Sequence, residues 1–202
     1  MINISQLVFA YPGKDKLFTG LSLHFKDHES ILLKGENGCG KSTLLKLIMG
    51  ILKPEKGTIS ISGKTIYKLN STIFSSVFYQ AQETEENLIG ISPAQDWSIW
   101  QLAINNLPSF EGDDKLFTEL STGEKKQASQ RILPYLLDRF WLIDEPFSGL
   151  DSAAANALNL LLRKKKASQT GLLLITHEDN MGEDFFDRII ELRNGQIIEI
   201  KP

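Results

Sequence analysis

The sequence has a single cysteine, Cys39, among its 202 residues, so no internal disulfide can form and the disulfide-stapled secreted class is excluded. It has no apolar run near the roughly 20 residues that a bilayer-spanning helix needs. The opening Met1-Ile2-Asn3-Ile4-Ser5-Gln6 lacks a basic stretch leading into an apolar one, so no export signal is expected. Basic charge is not in excess either. With 22 Lys+Arg against 25 Asp+Glu the formal net charge is −3, which argues against broad coating of nucleic acid. Low-complexity stretches, internal repeats and long linkers are also missing. What remains, at 42% hydrophobic and 23% charged residues, is an ordinary globular composition, long enough for one domain with a sizeable core. These absences predict a cytoplasmic protein with no membrane anchor of its own.

The apolar pattern predicts an α/β fold. Ile2, Ile4, Leu7 and Phe9 alternate as in a strand, with one phase slip. Leu21, Leu23 and Phe25 alternate again and lead to the short apolar run Ile31-Leu32-Leu33. Leu44, Leu45, Leu47 and Ile48 then recur at helical spacing, with Gly50 placed to end the helix. Ile59 and Ile61 before Gly63-Lys64 predict a hairpin. From Gln80 to Thr118 acidic and aromatic residues alternate irregularly around Pro93 and Pro108, which predicts a small, mostly helical insert. Phe140 to Ile143 and Leu172 to Ile175 are apolar throughout, as expected of parallel strands buried on both faces. Between them Leu158, Leu161 and Leu162 form a helical stripe, with Asp151 or Ser152 as its N-cap. The run Arg163-Lys164-Lys165-Lys166 reads as a solvated helix end. Asn194-Gly195 between two apolar runs is a strong hairpin signal.

Chemistry enters at Gly35-Glu36-Asn37-Gly38-Cys39-Gly40-Lys41-Ser42, which fits the phosphate-loop pattern G-x-x-x-x-G-K-[ST] between a buried strand and a helix. The glycines let successive N–H groups curl around an anion, and the helix N-terminus adds unpaired donors and a positive dipole end. Lys41 would reach the β- and γ-phosphates and Ser42 would hold Mg²⁺. Cys39 stands in this loop as a small residue, and the positive surroundings predict a reactive thiol that bound nucleotide shields. Asp144-Glu145 at the end of an apolar strand supplies two carboxylates, the first suited to Mg²⁺ and the second to orienting the attacking water.

With these motifs go four more: Val77-Phe78-Tyr79-Gln80, Leu120-Ser121-Thr122-Gly123-Glu124, Phe147-Ser148-Gly149-Leu150-Asp151 and Leu174-Ile175-Thr176-His177. In this order they resemble, respectively, the Q-loop, signature, D-loop and H-loop of the ATP-binding subunits of ABC transporters. The likeness runs from Tyr11 to at least His177. It implies one ABC-type P-loop ATPase domain over residues 1–202. A RecA-like parallel-sheet core would carry an antiparallel β subdomain and an inserted helical subdomain over residues 80–120. It implies two subunits paired head to tail around two ATP molecules, each held between one P-loop and the other subunit's signature. Residues 35–43, from Gly35 through Glu36, Asn37, Gly38, Cys39, Gly40, Lys41 and Ser42 to Thr43, would cradle ATP, with Tyr11 against adenine. Ser121 and Gly123 would offer a hydroxyl and a backbone N–H to the partner's γ-phosphate. Glu145 would polarise water, His177 would contact the γ-phosphate, and Asp151 would bridge the subunits. Ser42, Asp144 and Gln80 would hold Mg²⁺. Gln80 is preferred over Gln82 for that role because it follows the apolar run directly.

Thr122 and Glu124 depart from the signature's usual glycine and glutamine, and Glu124 puts a carboxylate near a helix start that should face phosphate. Pro134 interrupts a segment that is usually helical. The resemblance implies a separate transmembrane permease, placing the chain on the inner face of the cell membrane. Trp97, Ile99 and Trp100 are candidates for its docking patch or for the insert's core. Homodimer and heterodimer, import and export, and the substrate all stay open. A DNA-repair or translation ATPase is disfavoured, because one P-loop and 202 residues leave no room for long coiled coils or a second cassette. An ATP-dependent dimerisation switch with weak hydrolysis remains a third possibility. The chain's end soon after the last hairpin predicts no regulatory domain.

Overall fold

The computed structural model describes residues 2–66, 76–110, 112, 115–177 and 181–201. Met1 and Pro202, the bounds assigned to the domain, and positions 111, 113 and 114 of the predicted insert lie outside the described residues. Two sheets organise what is described. The smaller is antiparallel, with β1 (Ile2–Ala10), β2 (Lys16–Phe25), β4 (Lys56–Ile61) and β5 (Lys64–Thr65) in the order β2-β1-β4-β5. The larger contains β3 (Ser30–Lys34), β6 (Val77–Gln80), β7 (Phe140–Asp144), β8 (Leu172–Ile175), β9 (Arg188–Arg193) and β10 (Gln196–Lys201), ordered β10-β9-β3-β8-β7-β6. The pairs from β9 through β6 are parallel, and only β10 runs antiparallel, joined to β9 by the Asn194-Gly195 turn.

The predicted phase slip in β1 is a bulge. Gln6 has a φ of 51°, and the register with β2 breaks between Ile4 and Leu7. This returns Leu7 and Phe9 to the buried side that Ile2 and Ile4 occupy.

Helix α1 (Lys41–Ile48) lies between the two sheets. Its Leu44, Leu45, Leu47 and Ile48 join Ile31 and Leu33 of β3 in one apolar cluster with β1 and β2. The alternate residue Leu32 faces a second cluster on the other side of the sheet. There it meets Trp141, Ile143, Leu172 and Leu174, and Leu158 and Leu162 of α4 (Ser152–Ala167). Burial on both faces is the reason that β3, β7 and β8 read as continuous apolar runs.

Between β6 and β7 the chain carries α2 (Pro93–Ala103) and α3 (Thr122–Gln130) with short 3-10 turns. Helix α3 stops before Pro134, which opens a 3-10 turn over Leu133–Tyr135. The two tryptophans of α2 part company. Trp97 is buried with Ile132 and Leu136 and donates its indole N–H to the Pro108 carbonyl at 2.8 Å. Trp100 is half-buried and packs on Phe78, ring centroids 6.2 Å apart.

One expectation fails in α4. Lys165 belongs to the basic run expected to be solvated, yet it is fully buried. Its ammonium donates to the carbonyls of Leu137 (3.0 Å) and Arg139 and to the Thr170 hydroxyl, and it lies 5.1 Å from the Trp141 ring. Burial pulls its pKa down to about 7. The lysine thus fastens the 137–139 turn that feeds β7, the strand carrying the two carboxylates. Its neighbour Lys166 is half-buried and pairs with Asp187 at 2.9 Å.

Candidate functional site

The C-terminal ends of β3, β6, β7 and β8 lie along one edge of the large sheet, the usual place for a ligand crevice in an open α/β sheet. The phosphate loop follows β3, Gln82 follows β6, Asp144 ends β7 with Glu145 just after it, and His177 follows β8. Asn37, Gly38, Gly40, Lys41, Ser42, Thr43, Gln82, Asp144, Glu145, Ser148 and His177 together line a cleft of about 520 Å³.

The loop's shape rests on a close approach. Gly35 has a φ of 148°, and a Cβ there would lie 2.6 Å from the Leu192 carbonyl oxygen and 2.8 Å from the Cys39 Sγ. No side chain fits. Cys39 therefore turns inward and packs half-buried against the core, which leaves the cleft to backbone N–H groups. Lys41 is buried, and its Nζ donates to the carbonyls of Gly35 at 2.7 Å and Glu36 at 3.1 Å, holding the loop around itself. The Tyr11 ring, half-exposed, packs edge-on to Phe9, and its hydroxyl lies 3.1 Å from the Thr43 hydroxyl at the foot of α1.

Asp144 is buried, and burial raises its pKa against the opposing Ser42 hydrogen bond and the charges of Lys41 and Lys126. Its Oδ2 has no hydrogen-bond partner among the described residues. An orphaned carboxylate oxygen beside a serine hydroxyl fits a hard divalent cation such as Mg²⁺. Glu145 has a φ of 45°, rare for a residue with a side chain, which turns its peptide out of the strand. Its Oε2 accepts the His177 backbone N–H at 3.3 Å, while Oε1 lies 3.5 Å from His177 Nε2. Burial is the main cause raising its pKa, and the His177 N–H works against it.

The two glutamines exchange places relative to expectation. Gln80 is still part of β6, paired with Ile143, fully buried and absent from the cleft lining. Its amide oxygen and nitrogen have no partner among the described residues. Gln82 instead reaches the cleft. Asn87 accepts the Ala81 N–H at 2.7 Å and donates to the Ala81 carbonyl at 2.9 Å, closing the turn that presents Gln82. Gln82→Ala is therefore expected to lower ATP turnover about tenfold or more, whereas Gln80→Leu stays within about threefold of wild type. Gln80→Leu removes a buried unpaired amide, so its melting temperature should not fall. Steady-state turnover and thermal melts check both, and equal losses for the two variants would return Gln80 to the site.

The signature segment stands apart from this chain's own cleft. Ser121 caps α3. Its N–H and hydroxyl donate to Glu124 Oε2 at 2.8 and 2.6 Å, and its Oγ accepts the Glu124 N–H at 3.3 Å. The Glu124 carboxylate thus folds back on Ser121, whose hydrogen bonds hold its pKa low. Gly123 packs on the D-loop segment, where a Cβ would meet the Gly149 carbonyl oxygen at 2.8 Å. Asp151 caps α4, accepting the Ala154 N–H at 2.8 Å.

The sequence pattern of the ABC transporter family matches residues 18–148, from β2 through the phosphate loop, signature and carboxylates to the D-loop. The chain belongs to the ABC transporter family. Among its relatives, the energy-coupling factor transporter ATP-binding protein EcfA2 of Methanospirillum hungatei is 31% identical over 98% of this chain, which spans 54% of that protein. The nickel import system ATP-binding protein NikE of Staphylococcus aureus strain N315 is 30% identical over 98% of the chain and 89% of its own length. A bacterial ABC transporter cassette solved as a dimer has the same fold, with a TM-score of 0.79 at 20% identity and full coverage of both chains. Motif reading ranked Gln82 second to Gln80 and did not single out Lys126, which is buried against the carbonyls of two residues of the cleft lining, Gln82 and Glu145.

Proposed function

We propose that this chain is the ATP-hydrolysing subunit of a transporter, working as a head-to-tail pair of cassettes that drives a separate membrane permease. The observation that carries the reading is the single cleft joining Lys41, Ser42, Gln82, Asp144, Glu145 and His177. Lys41 and the N–H groups at the start of α1 bind the β- and γ-phosphates. Ser42 and Asp144 are the residues to hold Mg²⁺, which when bound neutralises phosphate charge. Glu145 accepts a hydrogen bond from the attacking water and is kept in place by the His177 N–H. Tyr11 stands at the adenine end. Ser121 and Gly123, remote from this chain's own cleft, suit the nucleotide of a partner cassette, with Asp151 near the seam. The dimeric state of a cassette with this fold supports that arrangement. No helix among the described residues is long and apolar enough to cross a membrane; the proposal assigns the membrane path to the permease.

The proposed docking site for the permease is a groove of about 540 Å³ beside the Gln82 turn, where Met49, Ile51, Phe78, Ile89, Trp100 and Ala103 meet. Ile51 and Ile89 are exposed there. Such an apolar groove suits a short amphipathic helix from the permease. Co-purification from gently solubilised native cells tests the reading. A polytopic membrane protein should accompany the wild-type chain. Ile51→Glu should lose it while ATP binding stays within about threefold. Ribosomal or nucleic-acid material without any membrane protein would overturn it. The switch reading, with weak hydrolysis, draws on the Ser121–Glu124 box, because that serine proton is already committed to a carboxylate.

A further inference from the structure

Lys126 lies in the second turn of α3 and is 1% exposed. Its ammonium donates to the Gln82 carbonyl at 3.2 Å and the Glu145 carbonyl at 3.1 Å. Packing alone would be met by an apolar side chain there. Burial disfavours the charge and lowers its pKa, while Asp144, Glu145 and Glu83 oppose that shift. The geometry gives the charge a task. Glu145 is held at a positive φ, and its carbonyl is the atom that Lys126 grips. A charge-assisted hydrogen bond is strong enough to stabilise such a backbone conformation. The other arm holds the peptide that presents Gln82. The same helix begins at Ser121, the group that would serve the partner's nucleotide.

We infer that Lys126 is a positioning residue: it ties the placement of α3 to both Gln82 and Glu145, and so couples hydrolysis in a chain's own cleft to the engagement of its signature on the partner's nucleotide. The inference rests on the paired-cassette reading above for its second half and on this chain's geometry for its first. Lys125, one residue before it, has an exposed contact of 3.4 Å to Glu85 and provides no equivalent link among the described residues.

The experiment compares wild type, Lys126→Met and Lys126→Arg by ATP turnover and by amide hydrogen exchange over residues 81–86 and 145–150. For Lys126→Met, kcat should fall about 30-fold or more with KM for ATP within about threefold, because the phosphate-binding groups are untouched. Exchange should accelerate in both segments. Lys126→Arg, which keeps charge and donors, should recover turnover to within about fivefold of wild type. A Lys126→Met turnover within about threefold of wild type overturns the inference, as does unchanged exchange in both segments. Should the wild type turn over no faster than Glu145→Gln, the ATPase reading fails, and exchange alone then decides the clamp. If Lys126→Met lacks a cooperative melt, Lys126→Gln replaces it under the same criteria.

Discussion

Glu145→Gln is expected to lower ATP turnover by about 10³-fold, roughly 4 kcal/mol of transition-state stabilisation, while ATP binding is kept or tightened. In the proposed reading this side chain acts on water. Oε2 is occupied by the His177 N–H, and Oε1 has no hydrogen-bond partner among the described residues although the residue lines the cleft. Glutamine has nearly the same shape and can keep the His177 contact through its carbonyl, so the fold of the Asp144–Ser148 turn should survive. It cannot take a proton at neutral pH, and its NH₂ would present a donor where a water needs an acceptor. The substitution also removes a negative charge beside the phosphate site, which favours nucleotide binding. ATP-bound pairs should therefore accumulate, visible as a doubled mass in size-exclusion chromatography with ATP. Turnover above about one-tenth of wild type would show that another group activates the water.

The parts of the protein legible in the sequence are those in which chemistry and position are contiguous. The phosphate loop reads directly because its glycines, Lys41 and Ser42 are consecutive between a strand and a helix, and Gly35 has no room for anything larger. Strands β3, β7 and β8 read directly because both faces are buried. Even the bulge at Gln6 leaves a trace, as a slip of one position in the apolar alternation. What escaped depends on contacts between distant residues. The choice between Gln80 and Gln82 turns on where β6 ends, and Asn87 settles that by closing a turn on Ala81. Lys126 and Lys165 escape because a hydropathy pattern assigns every lysine to the outside, whereas these two end on backbone carbonyls in the interior. Glu124 looks like a charge aimed at phosphate until its fold-back onto Ser121 is seen. The partition of Trp97 to a core and Trp100 to a groove follows from the Pro108 carbonyl that receives one indole.

Lys41→Met should weaken ATP binding by about 100-fold or more, roughly 2.8 kcal/mol, with little change in melting temperature. Lys41 is buried with its stem among the residues of α1, and methionine nearly replaces that volume, so the helix keeps its packing. The charge is what is lost, and it matters twice. Asp144 and Glu145 line the same cleft, and without Lys41 only charges set back from the lining, such as Lys126, offset them among the described residues, so a polyanion meets two poorly screened carboxylates. The carbonyls of Gly35 and Glu36, now gripped at 2.7 and 3.1 Å, would also lose their donor and point at incoming phosphate oxygens. Titration of a fluorescent ATP analogue measures the effect, and a dissociation constant within about threefold of wild type would refute it. Set beside Glu145→Gln, the comparison separates two jobs of one cleft. Both variants should lose turnover, but they shift affinity in opposite directions, because one removes the cation that attracts the phosphates and the other an anion that repels them. In the double variant the two effects share one field, so the affinity should fall between the single variants without being their simple sum.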